Sequence, residues 1–148
     1  MIIWVTGRST SINKKETKEC VSFFAHELMS NRLCSNLYIE VIYNKRLYEK
    51  EDCVGVVDSL DYYRPRDFII EIDSNLVYES ALRALAHEMI HVKQYARGEL
   101  RDYAKSKKIR WKDEIIESRA YWSMPWEKEA YGREKKLVKK YLKFIEEK

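Results

Sequence analysis

Residues 84–91 read Ala-Leu-Ala-His-Glu-Met-Ile-His, which sets two histidines, His87 and His91, four positions apart inside an apolar, helix-forming run. On a helix, positions i and i+4 stand one above the other on a single face. The two imidazoles therefore point at one spot, at the spacing a tetrahedral zinc ion takes. Such a helix must lie in a core and still line a polar site, which restricts the fold more than any other segment does. Glu88 follows the first histidine directly, so its carboxylate stands beside the metal position, where it can take a proton from a metal-held water. The plain alternative is a core helix whose histidines are satisfied by ordinary hydrogen bonds. Against it stand the scarcity of histidine, three in 148 residues, and the small and aliphatic neighbours Ala81, Leu82, Leu85, Ala86, Met89, Ile90 and Val92.

A chain of 148 residues is long enough to bury a core without covalent staples, and the expectation is one domain over residues 1–148. Gly and Pro are scarce, at 4 and 2, which excludes a low-complexity chain. The first apolar stretch, residues 1–5, is too short for a signal-peptide core, and no later run approaches the length of a membrane span. Cys20, Cys34 and Cys53 are odd in number and form no C-x-x-C pair, so reduced, buried thiols in a cytoplasmic protein are expected. Charge is uneven. Residues 101–148 carry 15 Lys and Arg against 9 Asp and Glu, while the first hundred carry 13 against 15. A basic C-terminal stretch can meet nucleic acid; the commoner reading is the solvated face of a helix.

The periodicity predicts a strand at residues 2–5, then a helix to about residue 32 that Asn13 caps with Glu16 as its capping-box partner. His26 in that helix has no second histidine at the right spacing and reads as structural or exposed. Strands follow at residues 37–43, 53–57 and 67–73, with Phe68, Ile70 and Ile72 alternating against Ile69, Glu71 and Asp73. The histidine helix should run over about 77–97 and end at Gly98. A polar connection over 101–112, a short helix over 114–121 and a last helix from Pro125 to about 146 complete the chain. This order gives an α+β fold, with a small mixed or antiparallel sheet packed on the N-terminal helix and the histidine helix, followed by C-terminal helices.

Two histidines do not complete a catalytic zinc site, which takes three protein ligands and leaves one position for water. No histidine follows His91. The acidic candidates lie in Pro125-Trp-Glu-Lys-Glu-Ala-Tyr131, at the start of the last helix. Here the chain resembles the gluzincin metallopeptidases, in which H-E-x-x-H is followed by a helix carrying Glu-x-x-Ala-Asp. Laid on this sequence, the resemblance makes Glu127 the third ligand and Ala130 the small residue that lets the helices approach. Tyr131 stands where the Asp that steadies a ligand histidine is usual, and Glu134 on the same face could take that part. Glu129 competes with Glu127 for the ligand role. Over residues 66–134 the segments HEMIHVKQYARGEL, RWK and YWSMPWEKEA are similar to small metallopeptidases of phage and bacterial genomes.

The resemblance implies a minimal zincin-like domain that holds Zn2+ on His87, His91 and Glu127 and hydrolyses peptide bonds with Glu88 as general base. Tyr121, Tyr131 and Tyr95 are candidates for the oxyanion donor. It also implies an edge strand before the metal helix that accepts a peptide as an added strand; residues 68–72 occupy that position, with an ordinary interior strand as the alternative. The expected partner is a peptide or protein substrate, with the chain monomeric and no membrane involved. Two rival functions stand beside this one. SprT-like proteases join H-E-x-x-H to nucleic-acid binding, and Arg133, Lys135, Lys136, Lys139, Lys140 and Lys143 could touch phosphates. A non-catalytic zinc-containing binding module is the other, although it has no need of Glu88.

Overall fold

The computed structural model describes residues 1–45, 55–59, 65–102, 108–117 and 124–148. The elements in chain order are β1 (Ile2–Thr6), α1 (Lys14–Leu28), α2 (Asn31–Ser35), β2 (Tyr38–Asn44), β3 (Gly55–Ser59), β4 (Asp67–Asp73), α3 (Tyr78–Ala96), β5 (Leu100–Asp102), β6 (Lys108–Trp111), β7 (Glu114–Glu117) and α4 (Pro125–Glu146). The fold is α+β, as the alternating and helical patterns predict.

A four-stranded mixed sheet has the order β1-β2-β4-β3. β1, β2 and β4 are parallel, and β3 runs antiparallel to β4. Strict alternation decides which face is covered: Ile39, Val41, Phe68, Ile70 and Ile72 are fully buried. They belong to one core with Cys20, Phe24 and Ala25 of α1 and Leu82, Leu85 and Met89 of α3. At the start of α1 the Asn13 side chain accepts from the Glu16 backbone N–H at 2.8 Å, the helix cap that the sequence predicts. The Glu16 carboxylate, expected to reach back to the cap, is instead directed to two tyrosines: its Oε2 accepts from the hydroxyls of Tyr78 on α3 and Tyr141 on α4, at 2.6 and 3.1 Å. One acidic side chain thus ties three helices.

Three expectations need correction. The first helix stops at Leu28, because Met29 is extended, and Ser30 caps the separate short helix α2. Where a polar connection and a short helix are expected after residue 100, the described residues form instead a three-stranded antiparallel sheet, β5-β6-β7. Its β6–β7 turn is Lys112-Asp113, with Lys112 at a positive φ of 53°. No glycine marks that turn, so the sequence hides it, while the Ile109↔Ile116 pair supplies the inward side chains of a hairpin. Finally, residues 68–72 do not form an edge strand. β4 lies between β2 and β3, and β3 is the edge on that side.

The remaining boundaries follow the sequence closely. α3 runs from a Val77 cap to Ala96, and Gly98 beyond it takes φ +73°. Pro125 opens α4 in its first turn. Cys20 and Cys34 are buried free thiols, while Cys53 lies outside the described residues. Among the described residues, no helix is long and apolar enough to cross a membrane.

Gly7, at the end of β1, has φ +79°, and a Cβ built there would stand 2.5 Å from the Tyr43 carbonyl oxygen. Backbone meets backbone, so neither side can give way. Gly7→Ala is expected to destabilise the protein by about 1–3 kcal/mol, a strained left-handed residue plus a steric clash. Urea unfolding checks this, and a variant as stable as the parent would contradict the close approach.

Candidate metal centre

α3 and α4 lie antiparallel. Gln94 meets Trp126 and Glu129, His87 meets Glu134, and Tyr78 and Tyr141 meet at Glu16. Ala130, the residue to which the resemblance gives a place in this packing, is fully buried.

Between the helices, the Nε2 atoms of His87 and His91 both face one oxygen, Oε1 of Glu127, each at 2.9 Å. One donor atom from each of the three residues can be chosen so that all lie within 4.8 Å of one another. Donors at metal bonds of about 2.0–2.1 Å in a tetrahedral arrangement stand about 3.4 Å apart. The three side chains therefore fit around a metal ion with small movements. All three are buried, and Glu127 is only 1% exposed. A buried group of two imidazoles and one carboxylate can bind a metal ion; this donor set suits zinc and other first-row divalent ions.

Glu129, the rival for the third position, is engaged elsewhere. Its carboxylate takes the Lys93 ammonium at 2.7 Å, the Gln94 side-chain amide at 2.8 Å and the Arg133 guanidinium at 3.2 Å. Burial alone would raise its pKa, but these donors outweigh burial and hold it below the usual carboxylate range. Glu127 is the acid that meets the histidines.

Each imidazole is also held from behind. His87 Nδ1 stands 2.8 Å from Oε2 of Glu134, and His91 Nδ1 stands 2.8 Å from Oε1 of Gln94. Glu134 thus backs His87 from the same helix that carries Glu127. Tyr131 is half exposed and lays its ring against His87, with centroids 4.5 Å apart. Of the other tyrosines named from sequence, Tyr95 packs its ring toward Phe68 at 6.4 Å, and Tyr121 lies outside the described residues. His26 is exposed, with Nδ1 2.8 Å from its own helix at the Ser22 carbonyl.

The sequence reading missed Lys93 and Gln94. Both are buried, at 4% and 0% exposure, although they belong to residue types that usually seek water. A signal was present: Gln94 is three residues after His91 and seven after His87, so it shares their helical face. Trp126, next to Glu127, is buried against Leu100 and Met124, with Trp111 packed onto the cluster. The unexpected second sheet therefore supports the first turn of α4, which carries Glu127.

No protein-family model matches the chain, and neither a curated protein nor a solved structure does. The likeness to gluzincins rests on the quoted motifs, and the chemistry of the site rests on its geometry.

The electrostatics of the metal-free site have one sign. Burial, only partly offset by the two imidazoles, pushes the Glu88 carboxyl up to about 7. Burial pulls His87 down, but Glu127 and Glu134 outweigh it and hold the imidazolium to about 9. His91 is raised as well, against burial, chiefly by Glu127. The unfolded chain releases these protons near the ordinary values, 4.5 for Glu and 6.5 for His. From about pH 5 to 9 the metal-free folded state therefore holds more protons than the unfolded one, and its stability falls as pH rises. Metal binding needs the ligands deprotonated, so the metal's own stabilisation grows over the same range. Thermal melts of chelator-treated protein should show a falling Tm between about pH 5.5 and 8.5, with the gain from added zinc largest at the upper end. A chelated protein whose Tm rises with pH would contradict this assignment of charges.

Proposed function

We propose that this protein is a zinc-dependent metallopeptidase. The observation that carries the reading is the convergence of His87 Nε2, His91 Nε2 and Glu127 Oε1, with Glu88 buried beside them. Zinc at that point would polarise a scissile carbonyl and lower the pKa of a water to about 7. The remaining work falls to the chain's own groups. Glu88, whose pKa burial raises to about 7, accepts a proton as the carboxylate from the attacking water and returns it to the departing amine nitrogen. Glu134 and Gln94 hold the two imidazoles in orientation. Tyr131, at the exposed rim against His87, is the described candidate for a donor to the developing oxyanion.

The substrate strand is assigned to β3 in place of β4. Among the described residues, β3 is the sheet edge on the side of β4, and it packs beside α3. An edge strand offers unpaired backbone groups to an extended peptide.

The rival readings draw less support. A structural zinc site fills all four positions with protein ligands, whereas the group found among the described residues has three. The basic face of α4 is partly neutralised within the chain, where Arg133 pairs with Glu129 and Lys140 with Glu27. This is how a solvated helix face behaves.

Glu88→Gln keeps the size of the side chain and removes the base. It is expected to lower peptidase turnover of an unfolded protein substrate by about 10²–10⁴-fold while zinc content stays at the parent level. Parent-level turnover by the variant would exclude Glu88 as the base. Absence of turnover in the zinc-loaded parent against a broad peptide library would count against the enzyme reading.

A further inference from the structure

Gln94 has no exposed surface, and every polar atom of its side chain has an assigned partner. Its Oε1 faces His91 Nδ1 at 2.8 Å, and its Nε2 donates to the Trp126 carbonyl at 2.9 Å and to Glu129 Oε1 at 2.8 Å. The amide has two N–H donors, and both are used on acceptors. Rotating the amide by half a turn would set its oxygen against a carbonyl and a carboxylate, so only one orientation satisfies the buried groups. With the oxygen fixed toward His91, Nδ1 of that ring must carry a proton. Its Nε2, the atom facing Glu127, is then the nitrogen with a lone pair to give.

We infer that Gln94 is a positioning residue that sets two of the three metal ligands at once. It fixes the tautomer and tilt of His91 directly. It also grips the first turn of α4 on both sides of Glu127, through Trp126 before it and Glu129 after it. Glu129 is kept charged and still by Lys93, which it meets at 2.7 Å and which also pairs with Glu99 at 2.8 Å. The acid that competed for the ligand role from sequence thus acts behind the ligands. His87 has a simpler support, the Glu134 carboxylate, so the two histidines are held by chemically different partners, one anionic and one neutral. The inference rests on reading His87, His91 and Glu127 as a metal site.

Gln94→Met keeps the length of the side chain and removes its hydrogen bonds. Zinc affinity, measured by competition with a chromophoric chelator, is expected to fall about 10- to 100-fold, the usual effect of losing a residue that holds a ligand from behind. The slowly exchanging His91 Nδ1–H proton seen by NMR in the zinc-loaded parent should disappear or broaden in this variant. Loss of packing alone would not move that signal. Glu129→Ala provides the second variant should Gln94→Met fail to fold, because it removes one acceptor of Gln94 at a part-exposed position; a loss of about 10-fold is expected. Parent-level zinc affinity with an unchanged His91 Nδ1–H signal would overturn the role of Gln94 while leaving the metal site standing. A parent protein that binds no zinc would overturn both.

Discussion

One carboxylate oxygen, Oε1 of Glu127, meets the Nε2 atoms of two histidines on another helix, and the chemistry of this fold depends on that junction. The α3–α4 interface buries His87, Glu88, His91, Lys93, Gln94 and Glu127 together. Each would be costly to bury alone. All but Glu88 are tolerable as a connected set: His87 between Glu127 and Glu134, His91 between Glu127 and Gln94, Gln94 onto Glu129, Glu129 onto Lys93. An apolar interface of the same shape would be cheaper to fold. That a small protein keeps so polar a core is itself an argument for a site.

The rest of the molecule holds the two helices at the required distance and orientation. The mixed sheet gives α3 its apolar bed of Ile70, Ile72 and Phe68. Glu16 locks the far ends of α3 and α4 through two tyrosine hydroxyls. The second sheet packs Trp111 toward Trp126, with ring centroids 6.1 Å apart, and so steadies the turn that carries Glu127. Sites need their ligands held within a fraction of an ångström, which packing of this kind provides.

Features that depend on local pattern were legible in the sequence. The i, i+4 histidines, the Asn13 cap, Gly98 after α3, Pro125 at the start of α4 and the alternation through β4 each follow from residues near one another in the chain. What escaped depends on partners far apart. Strand order is not encoded in any one strand, so β4 could be read as an edge until β3 was placed beside it. The Lys112 turn carries none of the usual glycine or asparagine. The resemblance already favoured Glu127 over Glu129, but what occupies the latter, Lys93 and Gln94, could not be read from the sequence. Buried polar residues on a ligand-bearing face are the clue that a sequence does offer for such partners.

The most direct measurement is the metal content of protein purified without chelators, for the parent, His87→Ala, Glu127→Ala and Glu129→Ala. The account predicts about one zinc per chain in the parent and in Glu129→Ala, and strong loss in His87→Ala and Glu127→Ala. Metal retained in Glu127→Ala but lost in Glu129→Ala would contradict the ligand set. A parent free of metal, and not stabilised by added zinc, would contradict the metal centre itself.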